Sequence, residues 1–169
     1  MPERAVTLLA CACLMWIASA CARDDEAAMR TRLVRWFSLG DTVVFKAGPD
    51  CAAAVFRVVD TRIKSSMRVT DGVSLALYAW RERSAVAVDN RALSPDRVIV
   101  QVADARRDLG MRMRRAALES RGCMGEGAED AFRAALMAPG AVLAWDEDSA
   151  ALMLLDTRTK LLIVAMGSH

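Results

Sequence analysis

The side chains that could do chemistry in this chain are its cysteines, its arginines and a few clustered acids. Its single histidine is the last residue, His169, so no histidine lies within the body of the chain to activate a serine or a cysteine. The sequence also lacks a phosphate-binding loop and a G-x-S-x-G elbow. We therefore predict no catalytic residue, no metal ion and no cofactor. An enzyme that uses a pair of carboxylates stays as an alternative.

Five cysteines are present, and Cys21 is placed for lipid attachment. Arg4 precedes an uncharged run of 18 residues, Ala5–Ala22. A positive start, an apolar stretch and small residues at its end are the parts of a secretory signal. The segment Ala18-Ser19-Ala20-Cys21 resembles the lipobox of bacterial lipoproteins, in which acyl chains such as palmitate modify the cysteine. It departs from the family's pattern at Ala18, where leucine is common.

The resemblance implies a signal peptide at 1–20 and one mature domain at 21–169, anchored to the membrane through acyl chains on Cys21. Cys11 and Cys13 fit this role less well, because the apolar run before each is shorter than a signal needs. An uncleaved membrane helix over the apolar run and cleavage without lipidation are the alternatives.

All three outcomes place the domain in the cell envelope, outside the cytoplasm. The residue after Cys21 is Ala22 rather than the aspartate that, by the same resemblance, favours retention in the inner membrane. We therefore expect the periplasmic side of the outer membrane, with the inner membrane or the soluble periplasm as alternatives.

Two cysteines, Cys51 and Cys123, remain after processing and lipidation. Because the cell envelope is oxidising, an even pair predicts a disulfide. Two buried free thiols, acting as small apolar side chains, are the alternative.

Arginines cluster in the middle of the chain, on the side of a predicted helix that faces away from its apolar stripe. They are candidates for contact with an anionic envelope polymer, lipid headgroups or an acidic envelope protein. A solvated helix face, partly neutralised by neighbouring acids, is the alternative. The net charge of only +2 and the exported location argue against a nucleic-acid partner. The arginines are Arg106, Arg107, Arg112, Arg114, Arg115 and Arg121.

Two other groupings are weaker. Asp146, Glu147, Asp148 and Ser149 offer oxygen ligands for calcium, but they lack an EF-hand pattern and are typical of a turn. Met111 and Met113 have the spacing of a copper motif, but they point about 200° apart on a helix. We therefore assign Met113 to the core and Met111 to the surface.

The elements that must position these residues predict an α+β domain. An antiparallel sheet, formed by an N-terminal hairpin and a C-terminal three-stranded meander, packs with about four helices. The hairpin is predicted at 42–47 and 51–59, and the meander strands at 141–145, 150–155 and 160–166. The predicted helices begin near Asp24 and end at Gly40, run from Val73 to near Arg83, from Pro95 to near Arg121, and from Ala128 to Met137.

Three further expectations concern the segments between these elements. The polar segment 61–68 is assigned as an extension of the second strand, and 84–93 as extended chain or loop. Thr70 or Asp71 is expected to cap the second helix, and a strand over 73–78 is the alternative to that helix. The last strand, which is apolar on both faces, is expected to lie inside the sheet.

No family is identified for the mature domain. The sequence predicts a non-enzymatic, lipid-anchored envelope protein with an interaction or structural role. A small carrier of an apolar or lipid ligand is the alternative, and it requires a cavity lined by apolar side chains.

Overall fold

A computed structural model describes residues 23–168, so the predicted signal segment and Cys21 lie outside the described residues. The described chain is an α+β domain with one sheet of seven strands and five α-helices. The helices are α1 Glu26–Leu33, α2 Val73–Ala79, α3 Pro95–Ala105, α4 Arg107–Glu119 and α5 Glu126–Met137. The strands are β1 Ser38–Ala47, β2 Ala52–Asp60, β3 Arg68–Thr70, β4 Ala85–Val88, β5 Val142–Asp146, β6 Ala151–Asp156 and β7 Leu161–Met166.

The strands are ordered β1-β2-β7-β6-β5-β4-β3, and every neighbouring pair is antiparallel except β3 with β4. The predicted N-terminal hairpin is confirmed as β1 and β2, joined at Gly48–Cys51. The predicted meander is confirmed as β5, β6 and β7, with Leu154 facing Ile163. Because β7 also pairs with β2, it joins the hairpin to the meander.

Strand β7 is buried on both faces, as its two-sided apolar pattern predicts. Ile163 and Ala165 pack in the cluster under α3, α4 and α5, and Leu162 and Val164 pack in the cluster on the α1 side. The sheet is therefore a middle layer, with apolar cores on both of its faces.

The first helix is shorter than predicted. It ends at Leu33, and Gly40 lies inside β1 rather than at a helix end. Trp36 and Phe37 are buried in the turn between the two elements, so their apolar spacing reflects packing beyond the helix. The predicted strand extension at 61–68 is also wrong, because that segment is loop until β3 begins.

The region around α2 contains two strands, β3 and β4, that were not predicted from the sequence. Residues 85–88 form β4, within the segment expected to be extended or loop, and β3 lies beside it at the sheet edge. Helix α2 ends at Ala79 rather than near Arg83, and its N-cap is Gly72, which makes no side-chain cap bond. Thr70 instead directs its hydroxyl to backbone carbonyls of Gly72 and Ala87.

The long helix predicted from Pro95 is interrupted once, at Arg106, whose backbone leaves the helical region at φ −144° and ψ 83°. Ser94 caps the first segment by accepting a bond from the Arg97 N–H. The chain therefore folds back as the separate helices α3 and α4, which contact one another.

Candidate functional site: the outer face of helix α4

Helix α4 separates the predicted arginines into different environments. Its buried side consists of Leu109, Met113 and Ala116, which pack in the core over the sheet. The assignment of Met113 to the core and of Met111, 47% exposed, to the surface is confirmed.

The outer face of α4, opposite the core, combines positive charge with apolar surface. Five exposed residues fall within about 100° of arc on this side of the helix. They are Arg107, Met111, Arg114, Arg115 and Leu118.

Charge on the outer face is poorly neutralised. Within residues 23–168, Arg107 and Arg114 make no salt bridge, and Arg115 reaches Glu119 only at 4.0 Å. Leu118 is 66% exposed, which makes it one of the most exposed large apolar side chains of the described chain. A helix face of this kind can offer guanidinium groups to phosphates or carboxylates, and apolar side chains to the headgroup region of a lipid surface.

Arg106 and Arg112 are held away from this face by an acid. Both donate to Glu147 Oε1, at 3.3 Å and 2.9 Å, and Glu147 lies in the turn between β5 and β6. The two arginines therefore attach α4 to the sheet. A small pocket of about 150 Å³ lies beside them, lined in part by Trp145 and Arg115.

Arg121 is paired with an acid of the next helix. Its guanidinium donates to Glu129 Oε1 at 2.7 Å, and Arg133 donates to the same oxygen at 3.2 Å. The hydrogen bond from Arg121, followed by the charges of both arginines, lowers the pKa of Glu129 below its ordinary value. Arg121 is thus part of an ion-pair cluster in this structure.

The cysteines that were predicted to pair are linked in the structure. Cys51 and Cys123 form a disulfide with their Cα atoms 5.9 Å apart, across 72 positions of the sequence. The bond connects the start of β2 to the 3₁₀ turn that follows α4.

The acidic loop at 146–149 is a turn, and its oxygens are used internally. Asp146 is 2% exposed and accepts from the Asp148 N–H and the Ser149 hydroxyl, while Glu147 binds two arginines. Among the described residues no group of three acids, histidines or cysteines is arranged to hold a metal ion. No helix in the described part of the chain is long and apolar enough to cross a membrane.

A cleft of about 1140 Å³ lies at the opposite end of the sheet from Glu147. Charged side chains of Arg62, Arg91 and Arg158 contribute to its walls together with Met137. A carrier of apolar ligands requires a mainly apolar lining, so this cleft does not favour that alternative. The hydrogen bond from Arg62 lowers the pKa of nearby Asp60, whereas a general acid at neutral pH needs a raised pKa.

Comparison with protein-family models, with curated proteins and with solved structures found no match for this chain. The function of the domain is therefore inferred from the geometry of the site.

Sequence reasoning found the arginines but missed two parts of the site. It did not place Met111 and Leu118 on one face with Arg107 and Arg114, although the spacing 107, 111, 114 and 118 is helical and was visible. It also did not predict that Glu147 pairs with the arginines, because that contact joins segments distant in sequence.

Proposed function

We propose that this chain is an exported, lipid-anchored protein of the bacterial cell envelope with a non-enzymatic role. Its folded domain contacts an anionic partner through the outer face of α4. The anchor is Cys21, and the proposed location is the periplasmic side of the outer membrane.

The observation that carries the export part of the proposal is the link between Cys51 and Cys123. These are the two cysteines of the chain that follow the lipobox-like segment, and structural disulfides persist in oxidising compartments. A disulfide therefore supports a domain that matures outside the cytoplasm. The signal-like pattern of residues 1–21 supports the same location independently.

The interaction part is supported by the unpaired charge and exposed apolar surface on one helix. Arg107 and Arg114 are not required by any ion pair within the described domain, and Met111 and Leu118 lie beside them. Met111 and Leu118 are two helical turns apart on the same face, so they add exposed apolar surface beside the arginines.

Intact mass spectrometry of the protein extracted from membranes tests the anchor. We expect a mature chain that begins at Cys21 and carries acyl chains, and a Cys21→Ser variant that keeps the mass of the unprocessed chain. Cys11→Ser and Cys13→Ser are matched controls, because they alter the same apolar segment and should leave processing unchanged. A full-length chain without acyl mass would favour an uncleaved anchor, and a chain cleaved after Ala20 without acyl mass would favour a soluble periplasmic protein.

A further inference from the structure

Helix α4 runs along one end of the sheet, which we call the lower rim. The lower rim consists of the β1–β2 turn at 48–51, the β5–β6 turn at 147–150 and Gly167 after β7. Near its middle α4 reaches the β5–β6 turn through Arg112 and Glu147. Near its end Glu119 accepts a bond from the Ser168 N–H at 2.8 Å.

The N-terminal end of the described chain is fixed at the same rim. The Arg23 N–H donates to the Gly48 carbonyl at 2.6 Å. Its guanidinium donates to the carbonyls of Ser149 at 2.7 Å and Gly167 at 2.8 Å. Arg23 thus contacts all three parts of the lower rim, and Gly167 is also packed against Glu119 of α4.

The distance between this rim and the proposed anchor is set by chain length. Cys21 is two residues before Arg23, and two residues span at most about 7 Å. A helix with its side chains is about 10–12 Å wide. An acyl chain on Cys21 therefore brings a membrane surface close to the rim along which α4 runs.

We infer that the outer face of α4 lies on the anionic phospholipid headgroups of the membrane that holds Cys21. This inference rests on the lipid anchor proposed above. Arg107, Arg114 and Arg115 supply guanidinium groups that bind phosphate oxygens in a bidentate way. Met111 and Leu118 insert among the headgroups, as the apolar side chains of an interfacial helix do.

The contact between α4 and the headgroups is weak by itself, and the tether through Cys21 raises the fraction of protein that makes it. Each arginine close to an anionic surface improves binding by a factor of about five. The whole chain has a net charge of only +2, so attraction from a distance is small. A short tether raises the effective concentration to the millimolar range, at which a weak local contact is populated.

Tryptophan reporters on opposite ends of the domain test the inference. Leu118→Trp places an indole on the outer face, and Met137→Trp places one in the cleft at the far end, where the native side chain is 59% exposed. The protein expressed from the full-length sequence is purified from membranes and reconstituted into vesicles that contain brominated phosphatidylglycerol, which quenches tryptophan on contact. Trp16 lies in the segment 1–20 that the proposed processing removes. The native Trp36, Trp80 and Trp145 are at most 5% exposed and give a constant background.

We expect the Leu118→Trp emission to be quenched and the Met137→Trp emission to be unchanged. Arg107→Glu combined with Arg114→Glu should lower the docking equilibrium about 25-fold or more, which is two factors of five. Arg91→Glu combined with Arg97→Glu changes the net charge equally, away from α4, and should leave quenching intact. Salt near 1 M, where the screening length is about 3 Å, should abolish quenching while the protein stays on the vesicles.

Each other outcome overturns the inference in a distinguishable way. Protein that floats with the vesicles without quenching of the Leu118→Trp reporter refutes docking and leaves the anchor standing. Protein that does not float at all refutes the anchor itself. Equal quenching in zwitterionic vesicles, insensitive to the arginine reversals, would assign the effect to the tether alone. A blue shift of the reporter with rising protein concentration and no vesicles would show that a second copy covers the face.

Discussion

Helices α3 and α4 approach one another closely at Gly110, and the contact can be tested by adding one carbon atom. A Cβ at Gly110 would lie 2.5 Å from both the Cα and the Cβ of Ala103 and 2.6 Å from its backbone nitrogen. Two of these three atoms belong to the backbone of α3, so no rotamer change can remove the clash. Gly110→Ala therefore requires the two helices to separate.

The expected change in the free energy of unfolding of Gly110→Ala follows from two opposing effects. Alanine is more favourable than glycine inside a helix by about 1 kcal/mol. Overpacking a tight contact costs about 1–3 kcal/mol, and a backbone obstacle places this case at the upper end. The net loss in the free energy of unfolding is thus about 2 kcal/mol, which lowers Tm by about 4–8 °C in a domain of this size.

Urea and thermal unfolding, followed by circular dichroism, measure this loss. Gly127→Ala is the matched control, because Gly127 is in the first turn of α5 and a Cβ there meets nothing within 4 Å. That substitution should stabilise the protein by up to about 1 kcal/mol. The two changes are chemically identical and are expected to have opposite signs.

A second substitution distinguishes a backbone clash from a side-chain clash. Ala103→Gly removes the Cβ of Ala103 but leaves its Cα and nitrogen in place, so it should not rescue Gly110→Ala. Full rescue, or a Gly110→Ala variant as stable as Gly127→Ala, would refute the reasoning.

Three other predictions concern separate features. Replacing both Cys51 and Cys123 by alanine should lower the free energy of unfolding by about 4 kcal/mol in the chain-entropy model, and an unchanged urea midpoint would contradict it. Gly140 has φ +80°, so Gly140→Ala should cost about 1–2 kcal/mol without any clash, which thermal unfolding would measure. Because the folded-state pKa of Glu129 is lowered, its ion pairs contribute stability above the unfolded-state pKa of about 4.3 and lose it as pH falls through the folded-state pKa. Arg121→Ala should move the carboxyl titration of Glu129, followed by NMR, back toward its ordinary value, and an unmoved titration would show that Arg121 is not the main cause.

Local sequence patterns were sufficient to predict the secondary-structure elements that are long enough to show a hydrophobic period. The hairpin and the meander have β-branched or apolar runs on both sides of polar turns. Their predicted boundaries lie within one residue of those found, except that β1 begins at Ser38 rather than at Thr42. Strands β3 and β4 contain three and four residues, which is too short for a period of two to be distinguished from loop. Their parallel pairing depends on the chain returning through α2, a contact that no local pattern encodes.

The break of the predicted long helix at Arg106 shows a different limit of prediction from sequence. The apolar stripe continues from Val102 to Leu109 across the break, so periodicity alone predicts one helix. Gly110 was the available signal, since a glycine inside a helix costs stability relative to alanine and is retained where another backbone approaches closely. The same break turns Arg106 toward Glu147, which is why the arginines do not share one surface.

The contacts at the lower rim explain how a small domain could keep a fixed orientation toward an anchor. Burial lowers the pKa of Arg23 from its ordinary value, but an arginine stays charged at any physiological pH, so its charge-assisted bonds to two carbonyls persist. The disulfide and the Arg112–Glu147 pair join α4 to the same rim. Arg23, which precedes α1, is therefore part of the contacts at this rim. A flexible tether alone would leave the domain free to rotate, whereas these bonds transmit the position of residue 23 to the arginines of α4.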